Sequence, residues 1–231
     1  MSDFVYSGIF PETLFLMEEN RFRDSKAFYE EHKEEIKKGI TVPMRQIAAI
    51  FAKKLYKADD KAETDPVKMV SRVRRDTRFT KDKHLYRDNM WVMFMRNKHK
   101  WQNYPCMWFE VTPRNFSFGV GFFGSTPALM STMREKMRET PQDYIKAIKG
   151  IKKLGFGYWG EQYKKAFEGC PKGLEEYYNA KNFGFIAYET DMSMLSDGRV
   201  IELLDTAYDA LIKLYKLMLI VSDECYANGE E

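Results

Sequence analysis

Apolar positions recur along this chain at two different periods, and the change of period separates helical ends from a strand-rich middle. From Pro11 onward, Leu14, Leu16 and Met17 make an apolar stripe that fades near Asn20. A proline fits that first turn because the N–H it lacks has no intrahelical partner there anyway. Asp24 or Ser25 is placed to cap a second helix, in which Phe28, Tyr29, His32 and Ile36 return at helical spacing. Gly39 is its expected stop. Pro43 opens a third helix with Met44, Ile47, Ile50, Phe51 and Leu55 on one side, and the polar run 59–65 predicts a loop.

After residue 66 the period shortens. Segments 69–74, 90–95, 107–112 and 116–123 read as strands joined by short connections, which predicts a mainly antiparallel sheet. In the last of these, large residues alternate with small ones, and Gly119 and Gly121 suit close approach of another group to the backbone. Helical spacing resumes at Thr126-Pro127, a cap followed by a first-turn proline, and Pro141 starts another helix. Residues 155–160 read as a glycine-aromatic packing loop, 173–180 as a short helix and 183–188 as a strand. Asp197 caps a last helix over 198–227. Its Val200, Leu204, Ala207, Leu211, Leu214, Met218, Val221 and Cys225 fall at alternating spacings of three and four, the seam of a core helix. With no linker in 231 residues, the prediction is one α+β domain over 1–231: a mainly antiparallel sheet packed by N-terminal helices and a long C-terminal helix.

Composition narrows the setting rather than the chemistry. Hydrophobic residues at 44% and charged residues at 31% are a globular balance, and the 15% aromatics supply a large core. The most apolar stretch, 211–221, is interrupted by Lys213 and Lys216 and is too short to span a bilayer. Met1-Ser2-Asp3-Phe4 lacks the basic-then-apolar opening of a secretion signal. Cys106, Cys170 and Cys225 are scattered, odd in number and without metal-ligand spacing, so three free thiols, no metal and a cytoplasmic protein are expected. Thirty-seven basic residues against 34 acidic ones leave a net charge of only +3, no global field for a polyanion.

Against that near-neutral background, residues 72–87 stand out. Seven of the sixteen are Lys or Arg and two are Asp. In an extended chain Arg72, Arg74, Asp76 and Arg78 share one face, and Val73, Arg75, Thr77 and Phe79 the other. Arginines on both faces need carboxylates, a ligand or water, because an unpaired buried guanidinium is costly.

The pattern R-x-x-R-D-x-R-F-x-x-D-K-x-x-Y, here Arg72, Arg75, Asp76, Arg78, Phe79, Asp82, Lys83 and Tyr86, resembles the signature of the domain of unknown function 2461 family of bacterial proteins. The resemblance extends over nearly the whole chain, through the aromatic opening at Phe10 to Tyr29, the strand Gly119-Val120-Gly121-Phe122-Phe123, and the later Tyr163-Lys164, Gly169-Cys170-Pro171 and Lys181-Asn182-Phe183. It brings no catalytic residues with it.

Three functions are therefore weighed on the residues. In the first, Arg72, Arg75, Asp76, Arg78, Asp82, Lys83 and Tyr86 converge near Gly119 and Gly121 and bind a small phosphorylated or carboxylated ligand, with guanidinium forks as the anion donors. In the second, the segment joins Lys98, His99, Lys100 and Trp101 on nucleic acid; the near-neutral charge counts against it. In the third the motif is purely structural, its arginines paired with acids such as Glu30-Glu31 and Glu34-Glu35. Glu110 is a further partner for a motif arginine if it faces the same side. His84 reads as a solvated loop residue and His32 as a surface one. Neither a reaction nor an oligomeric state follows from these residues.

Overall fold

In the computed structural model, which describes residues 5–96 and 102–226, the helices begin where prolines and capping side chains put them. Helix α1 (Pro11–Arg23) has Pro11 in its first turn. Helix α2 (Lys26–Ile36) is capped by Ser25, whose hydroxyl accepts from the Phe28 N–H at 3.4 Å. Gly39 does not stop it. The backbone passes through a π-helical turn, Lys37–Thr41, straight into α3 (Val42–Tyr56). The glycine answers a packing demand instead: a Cβ there would overlap the Thr13 side chain of α1. A short helix α4 (Pro66–Met69) follows, with the Asp65 carboxylate accepting from the Val67 N–H at 2.9 Å.

Residues 70–74 do not form the expected strand. They touch their neighbours only through single bridges, Val70 to Val92 and Arg74 to Tyr86. The chain instead doubles back on itself. The Arg75 N–H donates to the Leu85 carbonyl at 2.7 Å, and the Arg87 N–H to the Val73 carbonyl at 2.9 Å. Apart from the Ser71 N–H, which donates to the Trp91 carbonyl at 2.9 Å, the backbone groups that a sheet strand would offer to a neighbour are spent within this loop.

Strands β1 (Met90–Phe94), β2 (Cys106–Val111) and β3 (Phe116–Gly121) form an antiparallel meander. Helices α5 (Pro127–Glu139) and α6 (Pro141–Lys152) follow, α5 capped by the Thr126 hydroxyl. Residues 157–159, read above as part of a loop, are a short edge strand, β4 (Gly157–Trp159). After α7 (Glu175–Tyr178) comes β5 (Gly184–Glu189), which pairs with both β3 and β4. The sheet order is β1-β2-β3-β5-β4, antiparallel throughout. Helix α8 (Ser193–Asp197) leads into the long α9 (Arg199–Tyr226). The Asp197 carboxylate accepts from the Arg199 N–H at 3.0 Å. The architecture is therefore α+β, as the hydrophobic periods predict.

Strand alternation decides which face of the sheet is core. Met90, Val92, Phe94, Phe109, Phe116, Phe118 and Val120 point into the helical layer and are buried. There α3 and α9 pack on the sheet, and α5 and α6 pack on α9. One joint shows how the layers lock: the rings of Phe51 on α3, Phe94 on β1 and Tyr208 on α9 meet edge to face, with centroids 4.9 to 6.3 Å apart. Each such buried ring contributes roughly 2 kcal/mol, and the Tyr208 hydroxyl reaches the Trp108 carbonyl at 3.2 Å, so its polar end is satisfied. Among the described residues no helix is long and apolar enough to cross a membrane. Cys106, Cys170 and Cys225 are all free.

Candidate functional site

Among the described residues the other face of the sheet carries no helix, yet it is not polar. The register sets Trp91 opposite Glu110 and Met93 opposite Trp108, so these four side chains share that face. Trp108 in turn stands opposite Gly119 on β3. A Cβ on Gly119 would run into both the Trp108 indole and the Phe185 carbonyl, and one on Gly121 would crowd Trp159. The expectation that these glycines let a ligand reach the backbone is thus corrected: the room they make is taken by two indoles. The aromatic surface continues through Phe123, whose ring is 5.1 Å from that of Trp108 and 6.5 Å from that of Trp159.

Above this floor lies a cavity of about 940 Å³, walled by residues 68–72, 74–76, Arg78 and Arg87. Its cationic lining is Lys68, Arg72, Arg74, Arg75, Arg78 and Arg87, and its acidic lining is Asp76 and Glu110. Of the seven residues expected to form a ligand site, Arg72, Arg75, Asp76 and Arg78 line this cavity. Asp82, Lys83 and Tyr86 do not, and each has a visible local task.

Asp82 is the hub of the loop. Its carboxylate accepts from Arg21 Nη2 of α1 at 2.8 Å, pairs with Arg75, and lies 2.6 Å from His84 Nδ1. The hydrogen bond from Arg21, helped by those of His84 and Arg75, holds this carboxyl well below the usual carboxylate range. Arg21 also donates to the Tyr86 carbonyl at 3.0 Å, and Asp24 accepts from the Leu85 N–H at 2.6 Å, so α1 grips the loop at several points. Tyr86 is buried, its ring stacked on Tyr29 at 4.7 Å. The Lys83 ammonium donates to the Thr77 carbonyl at 2.9 Å. Arg78 forks onto Asp76 with bonds of 3.0 and 2.7 Å, and that pairing lowers the Asp76 pKa to about 2. The partners of the motif arginines are therefore acids of the motif itself, not the glutamates of α2.

What remains is a set of arginines without such partners. Arg72 and Arg74 make no hydrogen bond or ion pair with a described side chain. Arg87 is half-buried; its guanidinium lies over the Trp91 ring, 4.3 Å from the centroid, and its Nε is buried without an acceptor. Burial pushes the Arg87 pKa down, and the neighbouring charges of Arg75 and Arg21 push the same way. Glu110 offsets part of this, but its own carboxylate accepts from the Asn89 amide at 2.6 Å.

Sequence reasoning marked the segment 72–87 without singling out Arg74 and Arg87, and it missed Trp91, Met93, Trp108 and Phe123 as parts of the same place. A signal was present: β1 and β2 are apolar on both faces, which in a strand with only one face under helices marks the second face as covered or as a binding surface. The basic turn at Lys98, His99, Lys100 and Trp101 lies outside the described residues. Among the described residues no group of His, Cys, Asp and Glu is arranged to hold a metal ion.

Residues 12–216 of the chain match the family described as conserved hypothetical protein (DUF2461). No curated protein matches the chain.

Proposed function

We propose that this protein, which belongs to the DUF2461 family, binds a small amphipathic anion in the cavity on the open face of its sheet. The apolar or aromatic body of the ligand rests on Trp91, Met93, Trp108 and Phe123, and its phosphate or carboxylate meets Arg72, Arg74 and Arg87. One observation carries the reading: three arginines without a described ion-pair partner overhang an apolar floor in a cavity of about 940 Å³. That volume is within the range of small-molecule sites, which are mostly apolar with a few placed polar groups. A guanidinium held at such a wall gains two parallel charge-assisted bonds from an oxyanion.

The competing readings have less support. Nucleic-acid contact favours a flat basic stripe, whereas these arginines line a concavity. A purely structural motif accounts for Asp82, Lys83 and Tyr86, and water can satisfy the exposed Arg72 and Arg74, but it supplies no acceptor for the buried Nε of Arg87. The three free cysteines support a reducing, cytoplasmic setting.

The test uses 1-naphthyl phosphate, 1-naphthoate, 1-naphthol and inorganic phosphate as probes, read by tryptophan fluorescence and thermal shift. Binding to the native state raises the melting temperature with concentration. The two naphthyl anions should quench Trp91 and Trp108 and stabilise the fold more than naphthol or phosphate does. Arg87→Gln should weaken them about tenfold, the loss of one charge-assisted interaction. No response to either naphthyl anion, or an equal response in Arg87→Gln, would overturn the reading.

A further inference from the structure

Behind the wall of the cavity, on the other side of residues 68–74, lies a second hollow of about 450 Å³ between α2, the π-helical turn and the start of α3. Its charges are all of one sign. Lys33, Lys37, Arg45, Lys68, Arg72 and Arg74 line it, and no carboxylate does. Lys33 and Lys37 have glutamates one turn away on their own helix, at 3.4 and 3.5 Å, but all four side chains are well exposed. Exposed pairs of this kind hold their partners weakly, so both ammonium groups remain available to an anion. Arg45 is different. It is half-buried, and its Nε is fully buried with no acceptor, although a buried donor ordinarily has one. Lys68 is paired with Glu63 at 3.5 Å. The other five cations, facing one hollow, repel one another, and an oxyanion both relieves that repulsion and supplies the missing acceptor.

Arg72 and Arg74 line this hollow and the sheet cavity alike, as does Lys68. The two hollows are thus the two sides of one short basic segment. We propose that the hollow around Arg45 is a subsite for a diphosphate group, joined through Arg72 and Arg74 to the sheet cavity. The ligand class is then an apolar or aromatic compound carrying a diphosphate or longer chain. The joining rests on the function proposed above; the diphosphate subsite does not.

The experiment is isothermal titration calorimetry of the full chain with inorganic phosphate, pyrophosphate and 1-naphthyl phosphate. Pyrophosphate should bind about tenfold tighter than phosphate, since its two phosphoryl groups meet more of Lys33, Lys37, Arg45, Arg72 and Arg74 than one does. Arg45→Gln should weaken pyrophosphate about tenfold and leave 1-naphthyl phosphate unchanged; Arg87→Gln should do the reverse. Lys37→Gln, on the exposed rim, should weaken pyrophosphate about threefold without touching the packing, so the test stands even if Arg45→Gln fails to fold. Arg72→Gln should weaken both probes. Pyrophosphate that fails to bind, or that binds either Lys37→Gln or a folded Arg45→Gln as it binds the parent, overturns the subsite. Arg72→Gln affecting a single probe overturns the joining. Naphthyl phosphate failing while pyrophosphate still depends on Arg45 removes the cavity reading and leaves the subsite standing.

Discussion

The guanidinium of Arg87 sits over the indole of Trp91 with 4.3 Å between its central carbon and the ring centroid, at the point where the basic loop meets the apolar floor. The stacking is favourable, at about 0.5–1 kcal/mol. Glu110 apart, the rest of its surroundings is not: its Nε has no acceptor, and Arg75 and Arg21 are like charges nearby. A side chain kept at a cost to the fold is the pattern expected where binding and stability compete.

Arg87→Met therefore separates the two. Methionine keeps the stem packed on Trp91 through a favourable sulfur–aromatic contact and removes the unsatisfied charge. The variant should be about 1 kcal/mol more stable, a rise of about 3 °C in melting temperature for a chain of this size. It should also lose its response to 1-naphthyl phosphate. A fall in melting temperature of several degrees would show that the arginine holds the wall together.

Asp82 makes a pH-dependent prediction. Its carboxyl has a folded-state pKa far below the 3.8 of a free aspartate, first through Arg21 and then His84 and Arg75. A depressed carboxylate pKa stabilises the fold fully above the unfolded value, and that contribution is lost as pH falls toward the folded one. The melting-temperature gap between wild type and Asp82→Asn should accordingly be flat above about pH 5 and shrink as pH drops below about 4. A gap that is the same at pH 3 and pH 7 would mean that Asp82 holds the loop by shape rather than charge.

Much of the fold was readable because single residues act locally. Pro11, Pro127 and Pro141 mark helix starts by the N–H they lack, and the α9 seam follows from period alone. The errors fall where a distant contact decides. Gly39 looks like a stop until Thr13 is known to press on it. Residues 157–159 look like a loop because glycines flank a strand of only three residues, and its pairing with β5 depends on a segment more than twenty residues away. The site was half readable for the same reason. Charge density exposed Arg72, Arg75, Asp76 and Arg78. Lys83 and Tyr86 are equally part of the motif but serve the loop, and Trp108 and Phe123 join the cavity only through sheet register. Nothing near Arg45 in sequence connects it with Arg72.

The same dependence on distant contacts governs the most buried ion pair described, which no sequence pattern announced. Arg96, just beyond β1, donates from Nε to both carboxylate oxygens of Asp59 at 2.9 and 3.0 Å, and its other nitrogens reach Asp223. Asp59 also accepts from the Tyr215 hydroxyl at 3.0 Å, and its side chain is 1% exposed. Asp59 follows α3, its N–H bonded to Leu55, while Tyr215 and Asp223 are on α9. The cluster therefore ties the ends of α3 and β1 to the last helix. Tyr215→Phe removes one bond from a carboxylate that keeps its guanidinium, and should cost about 1 kcal/mol. Asp59→Asn leaves the Arg96 charge with only Asp223, which is half exposed, and should cost about 3 kcal/mol. Adding Arg96→Met to Asp59→Asn should recover part of that loss, because most of the penalty is an unpaired buried charge rather than a missing attraction. Urea unfolding of the three variants gives the comparison. If the double variant is less stable than Asp59→Asn alone, the Arg96 stem and its stacking on Tyr104, 5.0 Å away, matter more than the charge, and the electrostatic account of this joint fails.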